Sequence, residues 1–226
     1  MTGLLSSVIG ELLPLAVGIA ISPVPIIAVI LMLFASRVTA AGLFLGGWLI
    51  GVIAIAAIFS VIGAFLPRSA LGDVHPVVGV IKIALGVALL HLSTRSWRRH
   101  DPDPKDPHMP KWLDAIDAIP ARRSFALGFL LAAANPKNVL LGIAAGTSIG
   151  AENLAIGDQA MAIVVYTIIG GSTVLIPVLV HVTAADRGAP QLATARTWLM
   201  MNNATIMAVL LLINGVVLIG KGIANL

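Results

Sequence analysis

Two short motifs hold the residues best placed to do chemistry: Ser22-Pro23-Val24-Pro25 and Asn135-Pro136-Lys137-Asn138. Each interrupts a long apolar stretch near its middle. A proline removes a backbone donor and clashes with the carbonyl four residues earlier, so the carbonyls of Ile19, Ile21 and Ala132 lose their helical partners. In hydrocarbon such backbone is tolerated only where protein or a water-filled cavity satisfies it. One proline kink is common in membrane helices; matching breaks in the two halves of a chain are the pattern of a transporter's binding site. Lys137 adds a charge. A lysine at the bilayer centre costs about 2.5–3.5 kcal/mol on insertion scales and must face the bundle interior or a wet cavity. The half-helix that starts after Pro25 also turns free N–H groups, with their partial positive charge, toward the midplane. Ser22, Pro23, Pro25, Asn135, Pro136, Lys137 and Asn138 therefore read as a substrate site that favours a sulfate, phosphate or carboxylate group.

Lys82, within Ile81-Lys82-Ile83-Ala84-Leu85-Gly86, is the other lysine inside an apolar segment. It either lines the same cavity or pairs with Glu11, and it is counted among the substrate-binding candidates because intramembrane charges are usually functional. Glu11 and Asp186 stand at the edges of apolar segments, so no carboxylate is expected at mid-depth. Coupling to protons would then fall to Lys82, Lys137 or His181. Ile213-Asn214-Gly215 stands at a loosely corresponding place in the last apolar segment, without a firm register, and Asn202 and Asn203 read as interfacial caps. His100–His108 holds two histidines and three aspartates, yet prolines 102, 104 and 107 keep it extended without a fixed ligand geometry. It reads as solvated linker, and no metal or other cofactor is expected. No metalloprotease, nucleophile-elbow or phosphate-loop motif occurs. Transport rather than enzymatic catalysis is the expectation.

The elements that must position these residues are membrane helices. The chain of 226 residues is 58% hydrophobic and 11% charged, against about 25% charged in soluble domains. A spanning helix needs about 20 apolar residues, and six segments qualify: 11–35, 39–66, 74–94, 124–150, 159–184 and 198–221. Their patterning lacks the alternation of barrel strands. Ten of the 14 Lys and Arg residues fall in the loops after the first, third and fifth spans. The positive-inside rule then makes those loops cytoplasmic and puts both termini outside. The basic residues read as topology signals rather than a nucleic-acid surface. The expected architecture is an all-α integral membrane protein of six transmembrane helices, a 3+3 inverted-topology repeat with helices broken at the midplane. Residues 1–94 form the first three-helix repeat, 95–123 a cytoplasmic linker, and 124–226 the second repeat. Within the linker, 111–119 reads as an amphipathic helix with Trp112, Leu113, Ile116 and Ile119 on one face. It either lies on the membrane surface or packs on the bundle. Small-residue rows Gly42/Gly46, Gly47/Gly51 and Gly142/Gly146/Gly150 permit close helix approach, within one chain or at a homodimer face.

The order of six spans, Ser22-Pro23-Val24-Pro25, the Lys82…Gly86 pattern and Asn135-Pro136-Lys137-Asn138 resembles the lysine-exporter (LysE) transporter superfamily. The likeness is greatest to its GAP group, the peptidoglycolipid-addressing or sulfolipid-addressing proteins. Ser22–Phe34, Met109–Asp117, Leu127–Leu141 and Trp198–Leu212 carry it across the chain. Amino-acid exporters of the superfamily favour Pro-Gly-Pro, whereas Val24 separates the prolines here. The resemblance implies a secondary exporter in the bacterial inner membrane, moving an anionic amphiphile such as a glycolipid or peptidoglycolipid to the cell envelope, in contact with membrane lipids and alongside a larger lipid-transport complex. The rival readings are export of an amino acid or small ion on the same fold, and an accessory subunit that transports nothing itself.

Overall fold

The computed structural model describes residues 3–65, 76–98, 119–152 and 154–226 (of 185–187, the backbone), and these are helical nearly throughout. Among the described residues eight helices follow one another: α1 Gly3–Ala20, α2 Pro23–Phe34, α3 Val38–Ala64, α4 Pro76–Arg98, α5 Ala121–Ala133, α6 Pro136–Ala151, α7 Ile156–Ala184 and α8 Gly188–Ala224. Ala184 takes a non-helical backbone (φ −152, ψ 47), and the chain kinks there between α7 and α8. Among the described residues five helices are long and apolar enough to cross a membrane, six when α5 and α6, bent by 66° across their break, count as one span. No strand occurs among the described residues. Ile58, Val61, Val80, Ile168 and Val216 point outward and are exposed, an apolar outer surface suited to lipid rather than water. The chain is a multi-pass membrane protein.

Two sequence-based boundaries shift. The first apolar element begins at Gly3 rather than near residue 11, and α8 begins at Gly188 rather than near 198. Gly3–Ala20 is by itself long and apolar enough to cross a membrane, with Leu5 and Val8 in the buried core, and α8 runs back to just after the kink at Ala184. At about 1.5 Å per residue, the 37 residues of α8 exceed a bilayer core of about 30 Å. Asn202 accordingly donates to the Trp198 carbonyl inside α8 at 2.9 Å and does not cap a helix end. The amphipathic segment 111–118 and His100–His108 lie outside the described residues.

One order of elements occurs twice: a helix broken by proline, then two long helices. Each broken helix packs against a long helix from the other half. Gly47 and Gly51 of α3 lie on α5, a methyl group at Gly47 overlapping the Phe125 carbonyl, and one at Gly128 overlapping the Phe44 carbonyl in return. Further along, Gly142, Gly146 and Gly150 of α6 meet Ile55, Ala56 and Ser60 of α3. α7 rests on α1, with Gly170 against Ile19 and Ala16. Gly86 and Gly79 of α4 face Gly215 and Gly222 of α8. Small residues let backbones approach where apolar burial supplies no drive between helices. The rows Gly47/Gly51 and Gly142/Gly146/Gly150 are therefore occupied within one chain, whereas Gly42 faces open space.

Candidate functional site

Local sequence explains both breaks. Ser22 stands extended (φ −119, ψ 98) ahead of Pro23, which occupies the first turn of α2, where its missing N–H costs nothing. Asn135 stands likewise before Pro136, and its side chain accepts from the Lys137 N–H at 3.0 Å, capping α6. Each motif thus ends one half-helix and starts another, and the carbonyls of α1 and α5 at the breaks need donors from elsewhere.

Lys137 supplies the largest share. Its ammonium donates to the Gly18 carbonyl at 2.7 Å, the Ser22 hydroxyl at 2.6 Å and the Ile21 carbonyl at 3.1 Å. Three N–H groups meet three acceptors at the C-terminal end of α1, where the helix dipole places partial negative charge. The side chain is 2% exposed. Lys137 therefore joins the two broken helices. The Ile21 carbonyl, expected to lose its partner to Pro25, takes this ammonium instead. Thr173 of α7 donates its hydroxyl to the Ala20 carbonyl, which also accepts from the Ser22 N–H. Asn138 tends the other break, its amide donating to the Leu131 carbonyl of α5 at 3.2 Å. Ser22, Pro23, Asn135, Lys137 and Asn138 thus converge on one junction, with Pro25 and Pro136 setting the adjoining helix starts.

Two more polar atoms belong to this level. The amide nitrogen of Asn214 donates to its own helix at Leu210, and a methyl group at Gly18 would come within 2.8 Å of that nitrogen. Asn214 thus lies directly beside the end of α1 that Lys137 binds. The side-chain oxygens of Asn138 and Asn214 are both buried without a hydrogen-bond partner among the described residues. A buried unpaired carbonyl is costly, and each such group calls for an explanation, a bound water or ion among them. Register alone could not place Asn214, because the contact depends on the crossing of α8 over α1.

Lys82 lies elsewhere. It is buried and pairs with Glu11 at 2.5 Å, the second of the two alternatives open from the sequence. Glu11 is a correction: the early start of α1 carries it well inside a helix, where it is 21% exposed, rather than leaving it at a span edge. Ser148 and Lys221 join it there. The sequence signal was available, since a lone glutamate between apolar residues at Gly10 and Leu12 demands a partner. Among the described residues no group of His, Cys, Asp and Glu could hold a metal.

The chain matches the family described as Sap, sulfolipid-1-addressing protein, over residues 12–224. No curated protein and no solved structure matches it. A multi-pass helical bundle with proline-broken helices joined by a buried lysine, matched over nearly its whole length, belongs to the sulfolipid-1-addressing protein family, whose name links it to a sulfolipid.

Proposed function

We propose that the chain is a secondary exporter of an anionic amphiphile, a sulfated or otherwise anionic glycolipid of the cell envelope, and that its substrate site is the junction of the two broken helices. One observation carries this reading: Lys137 crosses from α6 to hold the unpaired end of α1. All three ammonium donors are engaged there, so recognition is an exchange. A sulfate or carboxylate oxygen replaces the Gly18 and Ile21 carbonyls as partner of Lys137, and α1 is released from α6. The charge thereby passes between partners without standing alone in a low-dielectric interior, where an unpaired ion is very costly. The free oxygens of Asn138 and Asn214 accept from hydroxyl groups of a sugar headgroup. The acyl chains stay in the bilayer, against the apolar outer faces of the bundle.

In this reading the halves form an inverted repeat, with both termini outside and the 95–123 linker cytoplasmic in a bacterial inner membrane. Alternating access arises as α1 with α7 moves relative to α3 with α5 and α6, so each moving unit contains elements of both halves. Substrate recognition then requires no covalent step and no cofactor. The test is lipid analysis of the outer envelope in a deletion strain complemented with wild type or Lys137→Ala. Wild type restores the missing lipid and Lys137→Ala does not; an unchanged lipid profile after deletion contradicts the reading. Reconstitution of the chain alone in liposomes separates an exporter, which moves lipid by itself, from an accessory subunit, which does not.

A further inference from the structure

A second charged cluster lies far from the junction. Glu11 stands ten residues before Ile21, about 15 Å along α1 at 1.5 Å per residue. Lys82 sits two turns into α4, Ser148 near the end of α6 and Lys221 near the end of α8. The Lys82 ammonium and the Ser148 hydroxyl both donate to one carboxylate oxygen of Glu11, at 2.5 and 3.1 Å. Lys221 donates to the Glu11 main-chain carbonyl at 2.9 Å. The charged groups facing Glu11 are Lys82 from α4 and Lys221 from α8, while α6 contributes only a neutral hydroxyl.

Two ammonium groups against one carboxylate leave one positive charge over. Stability alone does not account for such a cluster, since replacing a buried ion pair with packed apolar residues is often neutral or stabilising. One ammonium and one hydroxyl converging on a carboxylate, with a second ammonium on the main-chain carbonyl beside it, instead make an oxyanion site whose present ligand is a side chain of the same chain. That ligand rides on α1, the helix whose other end holds Lys137. A displacement of α1 that frees Lys137 also withdraws Glu11, leaving Lys82, which is 3% exposed, without a partner.

We propose that Lys82 and Ser148, with the charge of Lys221 beside them, form a second oxyanion-binding site, for a sulfate, phosphate or carboxylate group, which Glu11 fills as an internal carboxylate while α1 is seated. The site rests on the exporter reading only for its role, the reception of an anionic headgroup leaving the junction. Its existence is tested without substrate. The protein is placed in nanodiscs of neutral phosphatidylcholine, and the unfolding midpoint is followed in sulfate and in chloride at equal ionic strength. Glu11→Ala is stabilised saturably by sulfate over chloride, by about 2–4 °C, the scale of one good interaction in a domain of this size. Wild type, with Glu11 in place, is not. In Glu11→Ala/Lys82→Gln the sulfate response is lost. Should Glu11→Ala not fold, Glu11→Gln carries the same comparison, its amide leaving the ammoniums uncompensated. Nanodiscs containing phosphatidylglycerol distinguish the source of the anion: stabilisation of Glu11→Ala there without sulfate identifies a lipid headgroup, and stabilisation by sulfate alone a soluble ion. The proposal is overturned if Glu11→Ala responds no more to sulfate than to chloride, or if the double variant responds equally. That failure leaves the junction reading intact, because Lys137 takes no part in the measurement.

Discussion

At the scale of single residues, Lys137 sets two energies against each other. Membrane insertion of α6 is opposed by its charge, by about 2.5–3.5 kcal/mol. Folding is favoured by three charge-assisted hydrogen bonds, each worth about 1.5–3 kcal/mol, all directed at the end of α1. Lys137→Met is therefore expected to insert at least as well as wild type yet fold less stably, by about 3 kcal/mol, because it leaves three acceptors without a donor. Insertion reporters and detergent unfolding read the two effects separately. Lys137→Arg does not rescue, since a planar guanidinium cannot point three donors at acceptors arranged around one ammonium. Thr173→Val costs only about 1 kcal/mol, because the Ala20 carbonyl keeps the Ser22 N–H. The residue types of both motifs, and their need for shelter, were legible in the sequence. The partners were not: the ammonium reaches acceptors more than a hundred residues away, and nothing in local spacing encodes that reach.

At the scale of elements, close contact between α3 and the broken span α5–α6 decides whether the breaks meet at all. A methyl group at Gly150 overlaps the Ser60 carbonyl, while one at Gly42 meets nothing within 4 Å. Gly150→Ala is expected to push α6 off α3 and lower the yield of folded protein several-fold, whereas Gly42→Ala is neutral or slightly stabilising, as expected for an open helix position. Size-exclusion recovery after mild heating compares them. The end of α2 offers a second test. Ser36 adopts a positive φ of 56°, and the Arg37 N–H returns to the Met32 carbonyl at 3.0 Å, a helix stop that glycine usually provides. Ser36→Gly relieves that strain and raises stability by about 0.5–1 kcal/mol. The existence of the helices and both breaks could be read from hydropathy and proline, and the glycine rows announced close packing. The N-terminal extension of α1 could not, because the charge of Glu11 reads as a boundary until Lys82 of α4 is seen to compensate it. The sequence offered Glu11 as a partner for Lys82 but placed it at the edge of its segment.

At the scale of the whole molecule, the halves are interleaved: α3 of the first half embraces the second broken helix, and α7 of the second rests on the first. The two breaks can then part only when packed units slide, and α1 is the element shared by both charged sites. In the proposed mechanism, withdrawal of α1 transfers Lys137 to a substrate anion and vacates Lys82 in the same movement. The positive-inside rule, applied to the ten basic residues in three of the loops, predicts an external C-terminus. A reporter fused after Leu226 is expected to show the activity of an external location, and an internal signal contradicts that placement. The claim on which the mechanism depends is that the Lys137 junction recognises the charge of a headgroup. Binding of a sulfated glycolipid headgroup analogue and of its unsulfated counterpart to purified wild type and Lys137→Gln tests it most directly. The account predicts that wild type prefers the sulfated analogue by at least about tenfold, equivalent to 1.4 kcal/mol, and that Lys137→Gln loses the preference. Equal affinity of wild type for the two analogues contradicts it.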